Sequence, residues 1–423
     1  MPEIIDHTKL YRLPWSLTDN PIAWLEPTRA CNLACEGCYR ENVKEHKTID
    51  EVQADLDTFA RLRNFDNVSI AGGDPLLHPE IVEIVARVKR MGRKAIINTN
   101  GVALDAPLLR DLKNAGLSGL TFHVDSHQGR PAWRNKTEAQ MNDLRSQYVE
   151  MVAGVGGLGL AFNATVYEDT LDQIPDVLGW AARNIENVTE IVFITYRSTA
   201  DQFDYFVNGK PAEMGKIMYD EGNQKKQRID ITAHDVAAKL KAADPMYEPC
   251  AYLNGTHKAD SFKWLLATRI GTKNRIHGYM GPRMMELSQT TNHLLKGRYL
   301  AYPELSALSA GRALLLGGWT LDSTVRKASV VWAASLLSDP LDALRTQHLQ
   351  SVVCIQAPDV LEDGRDNMCD GCPDITVHDG KLVWSCRLEE YLKFGTTMHA
   401  VPKCAVHAAA PAVGSHAAPS NGA

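Results

Sequence analysis

The chain has 423 residues, with 45 Lys and Arg against 51 Asp and Glu, giving a formal net charge of -6. That length predicts two domains or one large barrel with additions, and 44% hydrophobic residues supply a core that needs no disulfide or metal staple to fold. A mild acidic balance excludes a general nucleic-acid or anionic-membrane binder, which would carry a basic excess.

The start, Met1 to His7, places charges where a signal peptide requires a continuous apolar segment. No stretch reaches the roughly 18 apolar residues of a membrane span; Leu314–Leu316 and Ser329–Leu337 fall short. The sequence therefore predicts a cytoplasmic protein without a membrane span. In that reducing compartment nine cysteines are not expected to pair as structural disulfides. An odd count with two tight clusters points to metal.

From Pro21 to Arg197, short β-branched runs end in Gly, Asn, Asp or Ser and alternate with helical stretches. The runs are Ile22–Leu25, Asn67–Ala71, Lys94–Asn98, Leu120–Val124, Leu160–Val166 and Glu190–Tyr196. Between them lie candidate helices over Ile49–Arg63, Pro79–Met91, Ala106–Ala115, Thr137–Val155 and Leu171–Asn184. This order predicts right-handed βαβ repeats, with functional residues on the loops that follow the strands.

Beyond Arg197 that rhythm stops. Residues 198–245 are polar, with Lys225–Arg228 read as a solvated face, and residues 246–350 read as mainly helical. Residues 351–400 are cysteine-rich with strand-like pieces at Ile375–Val377 and Lys381–Trp384. The Ala, Pro, Ser and Gly-rich end, Ala405–Ala423, reads as disordered. The predicted class is α/β: a partial (β/α)6 TIM-type barrel, a mainly helical insertion and a small cysteine-rich C-terminal α+β domain. The boundaries are an N-terminal extension at 1–20, the barrel at 21–197, a connecting and substrate region at 198–350, the cysteine-rich domain at 351–404 and a tail at 405–423.

Directly after the first strand stand Cys31, Cys35 and Cys38, a C-x3-C-x2-C run. Three thiolates on one loop can surround a soft metal centre. Iron–sulfur clusters normally take four cysteines, so three would leave one iron open. A zinc knot with a borrowed ligand is the alternative, although zinc sites build more often from C-x2-C pairs.

This run, in the loop after the first strand of a βα barrel, resembles the radical S-adenosylmethionine (radical SAM) superfamily. The resemblance covers residues from about 20 to 197. Ala71-Gly72-Gly73-Asp74-Pro75 resembles the family's Gly-Gly-Glu-Pro motif, with Asp in place of Glu. Asn98-Thr99-Asn100-Gly101 is similar to the Thr-Asn-Gly found after the third strand. The resemblance implies that Gly72, Gly73 and Asp74 hold the methionine end of SAM. It assigns Asn98, Asn100, His123, Asp125 and Asn163 to contacts with its ribose, its carboxylate or the substrate. Alternation independently turns His123 with Asp125, and Asn163 with Thr165, toward the lumen. A hydrogen-bonded polar core layer is the plain alternative for each.

Two departures stand out. Gly37 occupies the place before the third cysteine where many members carry an aromatic residue, so an adenine contact there is not carried over. The sixth strand lacks the family's Gly-rich adenine motif, leaving Tyr196 and Arg197 as weaker substrate candidates. The run Gly154 to Gly159 fits G-x-G-x-x-G but follows a helix and precedes a strand, the reverse of a dinucleotide site. It reads as a helix stop and connecting loop.

Cys354, Cys369, Cys372 and Cys386 form a second group, spaced C-x14-C-x2-C-x13-C. It resembles the auxiliary-cluster segment of radical enzymes with a twitch or SPASM extension. Cys404 or Cys250 are alternatives to Cys354, a substrate atom is another, and a four-cysteine zinc ribbon is the competing reading. Cys250 alone reads as a core thiol.

The resemblance implies a 4Fe–4S cluster that reductively cleaves SAM to a 5′-deoxyadenosyl radical, a second 4Fe–4S cluster, and an external reductant such as flavodoxin or ferredoxin. The expected substrate is a small molecule: a sugar, a nucleoside or another natural-product intermediate. A radical peptide-modifying maturase is the runner-up, and a non-catalytic iron–sulfur or zinc protein is the third reading. No nucleic-acid partner is expected. Residues 246–350 read equally as a substrate pocket or as ordinary core.

Overall fold

The computed structural model describes residues 5–197, 202–212 and 230–403. The tail at 405–423, the basic run Lys225–Arg228 and Cys404 lie outside the described residues.

Six strands, β1 (Ile22–Thr28), β2 (Asn67–Gly72), β3 (Lys94–Thr99), β4 (Leu117–His123), β5 (Gly159–Val166) and β6 (Glu190–Thr195), pair in parallel in sequence order. The crossovers are α1 (Ile49–Leu62), α2 (Ile81–Arg90), α3 (Ala106–Ala115), α4 (Glu138–Val155) and α5 (Ile174–Arg183). Each boundary lies within a few residues of its sequence expectation. Local chemistry explains the starts and stops. Thr48 with Glu51, and Thr137 with Gln140, close capping boxes on α1 and α4. Gly116 ends α3 at a positive φ of 106°.

Alternation fixes the two faces of the sheet. Phe122, Phe162, Ile191 and Phe193 pack against the helices with Leu56, Phe59 and Trp180. Each such buried side chain contributes about 1.5–3 kcal/mol. Asn163, Thr165, Val192 and Ile194 point the other way, into the concavity. The Gly154–Gly159 run behaves as expected: α4 stops at Val155, Gly156 caps it at φ 68°, and β5 begins at Gly159.

The sheet then continues in a way the sequence did not signal. Helix α6 (Ala233–Ala243) precedes residues 246–350, which supply α7 (Pro282–Lys296) and α8 (Ser323–Ser335). They also supply β7 (Ala251–Asn254), β8 (Phe262–Thr272) and β9 (Arg275–Tyr279). Strand β10 (His348–Gln356) runs parallel beside β6, and β8 pairs antiparallel with β10. Strand β7 and the short strand Tyr11–Arg12 complete the edge, giving eleven strands in one curved sheet. Among the described residues β1 and Tyr11–Arg12 do not pair, so the sheet is open rather than closed. The expected boundary at 351 falls inside β10.

The C-terminal segment carries a hairpin of β11 (Ile375–His378) and β12 (Lys381–Trp384), followed by α9 (Leu388–Phe394). Polar contacts clamp it to the barrel. Arg63 Nη2 donates to the carbonyls of Cys372 and Pro373 at 3.0 and 3.3 Å. Asn20 Nδ2 donates to Gly371 and Cys372, Arg12 pairs with Asp370 at 2.7 Å, and Arg29 pairs with Glu389 at 3.1 Å. Arg40, two residues past Cys38, bridges Glu26 and Ser385. These ties bring the second cysteine group to the mouth of the first.

Candidate active site

The concave face of the sheet encloses a cavity of about 600 Å³. Cys31, Cys35 and Cys38 line it, and so do Cys369, Cys372 and Cys386. All are free thiols.

The first cysteine loop is held by backbone chemistry. Cys31 N–H donates to Asn42 Oδ1 and Asn42 Nδ2 returns a bond to Cys31 O, each at 2.9 Å. Gly73 N–H donates to Thr28 O at 2.8 Å and Asp74 N–H to Ala30 O at 2.7 Å, stitching the loop after β2 to the strand that leads into Cys31. Here glycine is required. Gly72 has φ 110°, and a Cβ on Gly73 would stand 2.2 Å from Ala30 O.

The residues expected to hold SAM divide into two sets. Gly72, Gly73, Asn98, Asn100, His123 and Asn163 line the cavity. Asp74 and Asp125 do not; they brace the residues that do. Asp74 is wholly buried and accepts from Leu76 N–H, Asn100 N–H and the Thr99 hydroxyl at 2.8–3.0 Å. Burial raises its pKa despite those bonds. Asp125, 2% exposed, accepts from His127 N–H at 2.9 Å and lies 2.9 Å from His123 Nε2. Burial pushes its carboxyl up, but the His123 and backbone hydrogen bonds outweigh that and leave it below the ordinary value. Both carboxylates are hydrogen-bonded to the protein itself, behind the residues that line the cavity.

The structure places Cys354 apart from the other three cysteines of its group. Its neighbours Ser351, Val353 and Ile355 face the cavity, so alternation along β10 turns Cys354 to the helix side. It is fully buried in the main core with Leu265, Val236 and Leu240. Cys369 and Cys372 are in mutual hydrogen-bond contact and Cys386 faces Cys372, so three of the four come together and Cys354 does not. Cys250 is fully buried, its thiol bonded to Leu266 O, in an apolar cluster against which Cys369 packs.

The aromatic residue missing before Cys38 has a spatial counterpart. A Cβ on Gly37 would stand 2.7 Å from Tyr167 Oη and 3.1 Å from Tyr196 Cδ2. Tyr167 stacks on His127 at 4.1 Å, and His127 pairs with Glu36 of the cysteine loop and with Asp169. Tyr167 follows β5 directly, a position that the search for strand-end residues covers but that the cysteine pattern does not flag.

The sequence reading also missed Lys263, Asp359, Glu190 and Tyr302. Asp359 accepts from Lys263 and pairs with Arg197, both at 2.6 Å, and it accepts from Gln356 at 2.9 Å. Burial lowers the Lys263 pKa and Asp359 holds it up.

No three His, Cys, Asp or Glu side chains among the described residues converge on a single ion. The donor set instead suits a larger group. Three thiols lie within eight residues on one loop, beside a glycine ledge. Around them Asn98 Nδ2, Asn163 Oδ1 and Thr195 Oγ1 are buried without a protein partner.

Residues 25–152 match the family model of the Radical SAM superfamily. The chain carries a radical SAM domain. The superfamily's cofactors are a 4Fe–4S cluster and SAM, and the donor set fits both. Among curated relatives, the AdoMet-dependent heme synthase of Nitratidesulfovibrio vulgaris is 26% identical over 165 residues, 37% of this chain and 43% of that protein. The PqqA peptide cyclase of Xanthomonas axonopodis pv. citri is 28% identical over 176 residues, 38% and 45% of the two chains. The chain thus spans less than half the length of these relatives. Among solved structures, Streptococcus suis SuiB aligns with a TM-score of 0.37 and 14% identity, over 54% of this chain and 46% of that one. No helix among the described residues is long and apolar enough to cross a membrane.

Proposed function

We propose that this protein is a radical SAM enzyme that abstracts a hydrogen atom from a small organic substrate held in the cavity. The observation that carries the reading is that two cysteine triads open onto one enclosed space of about 600 Å³. That volume is within the range typical of small-molecule sites.

Cys31, Cys35 and Cys38 would hold a cluster through three irons and leave the fourth for SAM. Bound there, the cluster, given one electron by an external reductant of the flavodoxin or ferredoxin kind, would cleave SAM to methionine and a 5′-deoxyadenosyl radical. The Gly72–Gly73 ledge lets the ligand approach the backbone, and Asn98, Asn163 and His123 offer polar contacts. Ala161, Val192, Leu266 and Val353 wall the space with apolar surface that excludes water. The protein's part is orientation and exclusion.

Cys369, Cys372 and Cys386 would hold a second cluster with its fourth position free for another donor or for substrate. Iron and sulfide analysis with Mössbauer spectra tests this on anaerobically reconstituted wild type and on the Cys31→Ala/Cys35→Ala/Cys38→Ala variant. The variant is expected to keep about four irons. Zinc in place of that iron refutes the second cluster.

Peptide modification is the second reading, favoured by the similarity to a protein named PqqA peptide cyclase. A mass change on a precursor peptide encoded nearby would move it to the front.

A further inference from the structure

The cavity extends away from the cysteines to the end where the parallel strands begin. There the chain from Leu300 to Leu308 lies across the opening. Lys94, the first residue of β3, donates to Tyr302 O at 2.7 Å and pairs with Glu304 at 3.3 Å. Tyr302, Pro303, Ala307 and Leu308 thereby line the cavity beside Ile22, Glu190 and Leu349.

Glu190 opens β6, and alternation with Val192 and Ile194 aims it inward. It is half-buried and lines the cavity. Among the described residues its carboxyl has no hydrogen bond or ion pair, and burial is the one influence on its ionisation. The group it faces is the Tyr302 hydroxyl, which lies against Ser69 and Thr121. The basic side chains that line the cavity, Arg40, His123, Arg197 and Lys263, all stand at or beyond the opposite strand ends or on β8 near Asp359. A buried carboxylate without a cation is costly. Burial alone lifts its pKa to about 7.

We infer that Glu190, with the Tyr302 hydroxyl beside it, forms a subsite at the closed end of the cavity for a protonated amine carried by the substrate. The apolar walls would take the carbon skeleton between that amine and the reacting end. This deepens the proposed function and rests on it for the word substrate, while the binding site itself stands on the cavity and its lining.

The test uses full-length, anaerobically reconstituted protein with hexylammonium as probe and 1-hexanol as its neutral counterpart, followed by calorimetry at pH 8. Wild type should bind hexylammonium roughly tenfold tighter than 1-hexanol, the ratio expected of one desolvated charge pair. Glu190→Gln should lose that preference and keep its affinity for 1-hexanol, and Glu190→Asp should keep part of it. Equal binding of both probes by wild type, or an unchanged preference in Glu190→Gln, overturns the subsite. Should Glu190→Gln unfold, the comparison of wild type with Glu190→Asp decides: an unaltered preference overturns it, a reduced one supports it. Production of 5′-deoxyadenosine is read in parallel. If it is absent while the preference depends on Glu190, the enzyme reading fails and the subsite stands; the reverse pattern removes only the subsite.

Discussion

The hydroxyl of Thr99 donates to both carboxylate oxygens of Asp74, at 2.9 and 2.8 Å, and both residues are buried. The bond ties the loop after β2 to the loop after β3. It therefore sets the height of the Gly72–Gly73 ledge relative to Asn100, whose side chain reaches Asn32 in the cysteine loop at 2.7 Å. Thr99→Val keeps the shape and deletes the donor. It should cost about 2 kcal/mol, the usual worth of a hydrogen bond to a charged group, and weaken SAM. Urea unfolding of the metal-free protein and equilibrium dialysis with SAM measure the two effects separately.

Cys354 should be dispensable for metal. Cys354→Ala is expected to keep the wild-type iron content and lose about 1 kcal/mol from the small void it leaves in the core. Cys372→Ala should lose about four irons. Equal iron loss in both variants would mean that β10 turns the other way in the loaded protein.

These two cases mark how far the sequence could be read. Strand ends were legible because the β-branched runs and their Gly or Asn stops repeat locally, and the cysteine loop declared itself by spacing. The destination of Cys354 depends on β10 inserting between β6 and β8, a pairing of residues far apart in the chain. Spacing carries no information about which face of a strand a thiol takes. Asp74 and Asp125 stand in the loops where the strand ends put them, but their hydrogen bonds to Thr99 and His123 join residues that spacing alone does not bring together. Glu190 was recognised only as the first residue of a strand; its importance appears once Tyr302 closes that end.

Asp359 balances two cations, Lys263 and Arg197. Asp359→Ala leaves Lys263, 1% exposed, and Arg197 facing each other without an anion. The expected loss is about 3 kcal/mol, as for other broken buried pairs. Adding Lys263→Met should restore a good part of it. Thermal unfolding of the single and double variants checks both statements; an additive double variant would deny the coupling.

Glu190 should make stability pH-dependent. Burial raises its folded pKa from 4.5 to about 7, so the folded state binds the extra proton between those values. The stabilisation is complete below the unfolded pKa and is lost as pH rises through about 7. Glu190→Gln should flatten this decline, by up to about 3 kcal/mol between pH 5 and pH 8. Urea midpoints at the two pH values measure it, and parallel curves for variant and wild type would show that the carboxyl ionises freely.

The central claim is that Cys31, Cys35 and Cys38 support reductive cleavage of SAM. The direct measurement is 5′-deoxyadenosine and methionine formed by anaerobic, dithionite-reduced protein, compared with the Cys31→Ala/Cys35→Ala/Cys38→Ala variant. Wild type should form both products and the variant neither. Wild type that holds its iron, binds SAM and still yields no 5′-deoxyadenosine under reduction would contradict it.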